Sequence, residues 1–199
     1  MRAALILFAC LIAAACGPAI APAADVSAPT PSQESIASAA RITPPPVTPP
    51  KPPVINLPAY ACADASGGTT GVANAMTTRV AETSGYDRFV LQFDAAVPTY
   101  TVKRQTTPVF SNAASGQTIT LSGIAGALVQ VHSATGATTF TGPTDFTHAE
   151  YLVLKEARLT QDFEGYVSWG LGLDHLACMR TFTLKDPDRL VVDFTTTPS

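Results

Sequence analysis

From Asn74 onward, apolar residues recur mostly at every second position, in short stretches bounded by Gly, Pro, Asn or Asp. A period of two is what a half-buried strand needs, because successive side chains point to opposite faces of a sheet. Phe89, Leu91 and Phe93 share one face of 86–94, and Val129 and Val131 share one face of 127–132. Further stretches run over 151–159, 163–171, 178–184 and 189–194, the last with Leu190, Val192 and Phe194 in phase. The pattern predicts about nine strands and no helix, since no segment keeps a 3.6-residue period. The expected fold is all-β, an antiparallel β-sandwich or a partly closed barrel.

Phase also sorts the residues that carry chemistry. Trp169 is in phase with Phe163, Val167 and Leu171 and is expected in the core, whereas Tyr166 lies on the opposite face. Cys178, Arg180, Phe182 and Leu184 share a face. An unpaired guanidinium is too costly to bury, so Arg180 must sit at the sheet's rim or be paired. Asp186-Pro187-Asp188 reads as the turn between the last two strands.

Composition divides the chain into three parts. Twelve of the 17 Pro fall between Pro18 and Pro58. Residues 1–15 read as an export signal, with Arg2 followed by an apolar run from Ala3 to Ala15 that is too short to remain as a membrane-spanning helix. Ala13-Ala14-Ala15-Cys16-Gly17 resembles a lipobox, in which the Cys is acylated and becomes the new N-terminus; Ala13 stands where Leu is usual. The expected product is exported and anchored at the outer side of a bacterial cell membrane by lipid on Cys16. A cut near Ala23-Ala24 would instead release a soluble protein. Residues 16–58 are rich in Pro, Ala and Ser and cannot bury enough apolar surface to order themselves. This tether is expected to be disordered, with a polyproline II stretch over 43–53 and a reach of up to about 130 Å if fully extended. It would serve as a spacer, as a plain linker, or as a Pro-rich docking motif.

The third part, 59–199, has the length of a single domain. From Tyr60 on it holds nine Lys/Arg against thirteen Asp/Glu, a net charge of −4, with no basic cluster. That balance argues against nucleic acid as a partner. With Cys10 in the signal and Cys16 at the lipidation site, Cys62 and Cys178 remain, and in an exported protein they are expected to pair. The bond would tie the start of the domain to its penultimate strand. His132, His148 and His175 lack metal-ligand spacing, so no metal or other cofactor is expected. Asp174-His175 could be drawn with Ser168 or Ser133 as a triad, but there is no nucleophile elbow, and the chain is not expected to be an enzyme. A secreted hydrolase is the remotest of the readings.

Three stretches together resemble the AMIN-like domain, a relative of the amidase N-terminal (AMIN) domain of cell-wall hydrolases and envelope proteins. They are Gly85-Tyr86-Asp87-Arg88-Phe89-Val90-Leu91-Gln92-Phe93-Asp94, then 162–173 (DFEGYVSWGLGL), then 180–193 (RTFTLKDPDRLVVD). The resemblance spans about residues 74–195. It implies a β-sandwich acting as a non-catalytic module at the cell envelope, with peptidoglycan as the partner by analogy. With no catalytic module following before Ser199, the domain is expected to bind wall polymer itself or, alternatively, to dock onto an envelope protein complex. Arg189 and Asp193 fall opposite the core face and, with Tyr166 and Arg88, are the candidates for an exposed ligand surface; the competing role for each is a cross-strand ion pair.

Overall fold

The computed structural model describes residues 56–112 and 114–197. The export signal, Cys16 and the tether as far as residue 55 lie outside the described residues. Thirteen strands follow: β1 (Ala65–Gly67), β2 (Ala73–Thr83), β3 (Tyr86–Phe93), β4 (Tyr100–Gln105), β5 (Val109–Ser111), β6 (Thr118–Thr120), β7 (Ala125–His132), β8 (Ala134–Thr135), β9 (Asp145–Thr147), β10 (Leu154–Phe163), β11 (Tyr166–Leu173), β12 (Met179–Leu184) and β13 (Arg189–Thr195). The fold is all-β, as the alternation predicts. Eight of the thirteen strands have six residues or more, near the expected nine; β1, β5, β6, β8 and β9 have three residues or fewer, too short to display a period of two.

The strands form a six-stranded sheet in the order β1-β4-β7-β11-β10-β9, a five-stranded sheet in the order β12-β13-β3-β2-β8, and the separate β5-β6 hairpin. All named strand pairs are antiparallel except β2 with β8. The large side chains between the sheets come from both: Phe89, Leu91, Phe93, Leu190, Val192 and Phe194 from one, and Val102, Val129, Trp169 and Leu171 from the other. Trp169 is fully buried, with ring centroids 5.6 Å from Phe89, 5.9 Å from Phe140 and 6.2 Å from Phe146. Asp87 adds a polar link between the sheets. Fully buried on β3, it accepts the amides of Val153 (2.6 Å) and Leu154 (2.8 Å), where β10 begins.

One expectation fails at a turn. The stretch 163–171 is not a single strand, because Glu164 and Gly165, at φ 51 and 78, form a two-residue hairpin turn. Both turn residues have positive φ, the geometry that matches strand twist, and Gly supplies it without strain. Phe163 therefore pairs with Tyr166, lies on that residue's face, and is 49% exposed instead of buried with Trp169. A bulge between Leu159 and Gln161 carries the rest of β10 across the change of phase, so that Leu159 pairs with Trp169.

The β5-β6 hairpin lies over part of the six-stranded sheet's outer face. Phe110, 3% exposed, fills the space left by Gly170 and Gly126, where an added Cβ would come within 2.9 Å of its ring. At the domain's start Cys62 is bonded to Cys178 across 116 residues of sequence, as expected. Ala61 and Met179 exchange backbone hydrogen bonds of 2.8 and 2.9 Å beside it. Arg104 clamps the same place from β4, donating to the carbonyls of Cys62 (2.7 Å), Leu176 (2.9 Å) and Ala177 (2.9 Å).

Two outcomes follow for stability. Trp169→Ala should lower the unfolding free energy by about 3–5 kcal/mol. Trp169→Phe should cost clearly less, because the buried Nε1 has no acceptor to lose; urea titration followed by far-ultraviolet circular dichroism distinguishes the two. Replacing Cys62 and Cys178 together by Ser should cost about 2–4 kcal/mol in the same assay.

Candidate functional site

Two rows of side chains cross the open part of the six-stranded sheet's outer face. Backbone register sets Phe163 beside Tyr166, Tyr166 beside His132, and joins His132 to Thr99 through a 2.9 Å amide-to-carbonyl bond. In the next row Gln161 pairs with Ser168, Ser168 with Gln130 and Gln130 with Thr101. Strand alternation puts all of these on the side away from the core. The first row is an aromatic strip, with the Tyr166 and His132 rings 4.6 Å apart and tilted by 30°. In the second, Ser168 and Gln161 are buried and Gln130 Nε2 donates to Ser168 Oγ at 3.3 Å, so Gln130 and Thr101 are its more accessible polar groups.

Tyr166 and Gln130 divide this face into two shallow depressions. One, of about 290 Å³, is lined by Thr99, Tyr100, Thr101, Gln130, His132 and Tyr166. The other, of about 340 Å³, is lined by Gln130, Gln161, Phe163, Glu164 and Tyr166. Glu164 is the one charged side chain in these linings. Neutral donors and acceptors around aromatic faces suit a hydroxyl-rich ligand, whereas a phosphate polymer would require cations.

The other expected site residues fall elsewhere. On the five-stranded sheet Arg180, Asp193 and Arg88 stand side by side across β12, β13 and β3. Asp193 is fully buried, which corrects the expectation that it is exposed. Arg88 grips it through Nε at 2.6 Å and Nη2 at 2.9 Å, and Arg180 through Nε at 2.7 Å. Of the two alternatives for Arg180, pairing is the one found. The hydrogen bond to Asp193 raises the Arg88 pKa, against the opposing effect of burial. Arg189, four residues along β13, instead donates to the Pro187 and Lys185 carbonyls at the hairpin. The structure thus brings Arg88 and Asp193 together, holds Arg189 at the turn, and places Tyr166 on the other sheet. Ser168 belongs to the Tyr166 face, while His175 lies 3.7 Å from Asp174.

Around the arginines stand three rings that phase alone did not single out. The Arg180 guanidinium lies 4.6 Å from the Tyr60 ring centroid and 4.9 Å from that of Tyr86; Arg88 lies 5.1 Å from Tyr86 and 5.6 Å from Phe182. Tyr86 shares Arg88's face by alternation; Phe182, expected in the core with Leu190 and Phe194, lies instead on the arginines' outer face, opposite Val191. Tyr60 had no such signal, since it arrives next to Ala61 and Cys62 on the disulfide-bonded segment. Burial raises its hydroxyl pKa, and the nearby Arg180 charge opposes that.

Asp193→Asn should destabilise the domain by about 3 kcal/mol, because it leaves two partly buried guanidiniums facing each other without a counter-charge. Removing one of those charges as well, in Asp193→Asn with Arg180→Gln, should recover part of the loss; a double-mutant cycle in urea measures the coupling.

A family model, the AMIN-like domain, matches residues 73–196, from the first residue of β2 to one residue beyond β13. No curated protein matches the chain. The matched span contains both depressions and the Arg88–Asp193–Arg180 row, and leaves Tyr60 and Cys62 outside.

Proposed function

The chain belongs to the AMIN-like domain family, and from that premise we propose that it is a non-catalytic binding module of the cell envelope whose six-stranded sheet contacts the glycan of peptidoglycan. The observation that carries this reading is the pairing of an aromatic row, Phe163–Tyr166–His132, with Gln130 and Thr101 and the largely buried Gln161 in the two depressions beside it, where the buried Ser168 holds Gln130 by a hydrogen bond. A ring offers an apolar face to a sugar's C–H groups while Gln130 and Thr101 meet its hydroxyls, directly or through water. The exposed edge of Phe163, turned outward by the Glu164-Gly165 turn, extends the strip. Export is part of the proposal. The signal-like residues 1–15, the lipobox-like Cys16 and the Pro-rich tether would hold the domain at the membrane's outer side and let it reach the wall, and a disulfide suits an oxidising compartment. Among the described residues no helix is long and apolar enough to cross a membrane.

Co-sedimentation of the mature chain with purified peptidoglycan tests the reading. The wild type should pellet, and Tyr166→Ala should weaken binding by about tenfold, the equivalent of 1.4 kcal/mol. Absence of pelleting above a tether-only control would point to a protein partner. Intact mass of the membrane-extracted protein tests the anchor: an acylated chain beginning at Cys16 is expected, and an unmodified chain beginning after Ile20 would end that part of the proposal.

A further inference from the structure

The five-stranded sheet's outer face carries a second arrangement that the glycan reading leaves unused. Two guanidiniums share one carboxylate: among the described residues, the ion pairs of Arg88 and Arg180 are all with Asp193. The group therefore has one unit of positive charge in excess, although the domain as a whole is acidic. Asp193 takes Nε and Nη2 of Arg88 and Nε of Arg180, so Arg88 Nη1 and both Nη atoms of Arg180 have no acceptor among the described residues. Neither arginine is sealed off, the side chains being 26% and 13% exposed.

The rings make this more than a surface ion pair. Tyr60, Arg180, Tyr86, Arg88 and Phe182 alternate as ring and cation, each guanidinium lying between 4.6 and 5.6 Å from two ring centroids. Stacking of this kind, together with the bond to Asp193, fixes both guanidiniums before any ligand arrives, so binding costs little side-chain entropy. A guanidinium is weakly hydrated and presents a planar fork of donors matched to two oxygens in a plane.

The geometry points to a carboxylate-binding site here, formed by Arg180 and Arg88 within the Tyr60, Tyr86 and Phe182 rings, that takes the free α-carboxylate of a short peptide. A single excess charge suits a monoanion, the planar fork suits a carboxylate, and the flanking rings offer apolar contact to the residue that bears it. Because this surface lies on the other sheet from Tyr166, the site does not depend on the glycan reading.

A nuclear magnetic resonance titration of the mature chain with N-acetyl-alanyl-alanine, and separately with its C-terminal amide, tests the assignment. The free acid should shift the amide signals of Tyr86, Arg88 and Arg180 and bind at least tenfold more tightly than the amide. Arg180→Gln, which leaves the two-pronged Arg88–Asp193 pair in place, should weaken the acid by tenfold or more, and Arg180→Lys, with the charge but not the fork, should weaken it by a smaller factor. Arg79→Gln, which removes a positive charge from β2 on the same sheet, should leave the affinity unchanged. Equal shifts from acid and amide, or wild-type affinity in Arg180→Gln, would overturn the site. Dimethyl phosphate binding as tightly as the free acid would overturn the choice of a carboxylate. Should Arg180→Gln fail to fold, the comparison of acid with amide on the wild type and on Arg180→Lys still decides.

Discussion

Both candidate surfaces of this domain are placed by one constraint, the packing of two sheets through a layer of side chains that includes the fully buried Trp169. Phe89 reaches Trp169 from the five-stranded sheet, and Phe140 and Phe146 close around it. Once Phe89, Leu91 and Phe93 must face that layer, the intervening Arg88, Val90 and Gln92 must face away. The same logic turns Tyr166 and Ser168 outward because Val167, Trp169 and Leu171 turn inward. A one-residue slip of either strand would exchange core for surface. The Tyr166 face and the arginine cluster are thus set by the same core and separated by it, with no side chain in common.

The two buried aspartates show how differently a sandwich can accommodate a carboxylate. Asp87 points to the core side, where two backbone amides donate to its Oδ2. Asp193 points outward and should have been wet. It is buried because Arg88 and Arg180 close over it from the neighbouring strands while Tyr60, Tyr86 and Phe182 pack against them. Val191, also on the outer face and also fully buried, sits opposite Phe182 and shares that shelter. Desolvating Asp193 costs several kcal/mol if unpaired, and two cations offset this better than one. The second cation is what leaves the surplus charge at the surface.

Alternation made the long strands and the core readable, with Phe89, Trp169, Leu190 and Phe194 all on their expected side. It failed wherever geometry depended on something other than parity within one strand. Phe163 was miscounted because parity does not pass through a two-residue turn. Glu164 and Gly165 were counted inside one strand, and only the backbone angles show that they turn and that Phe163 lands opposite Tyr166. Asp193 was assigned the right side and the wrong depth, since a period of two reports direction and says nothing of what lies above the sheet. The joining of Gln130, His132 and Tyr166 across β7 and β11 required strand order, which a lone sequence does not contain. The disulfide was readable by elimination, and the clamp by Arg104 was not.

Tyr60 is the instructive case, because it lies outside the span matched by the family model and yet completes the arginine stack. The matched span itself contributes Arg88, Arg180, Asp193, Tyr86 and Phe182. The remaining wall is brought in by the short segment that Cys62, Ala61 and Arg104 fasten beside the start of β12. Only Met179 separates Cys178 from Arg180, so the bond that holds the segment also fixes where its ring meets the guanidinium. A covalent link across 116 residues would be an expensive way merely to tidy a terminus of few apolar groups. Its position makes better physical sense as a support for Tyr60, added to the Ala61–Met179 backbone bonds and the Arg104 clamp that hold the same segment.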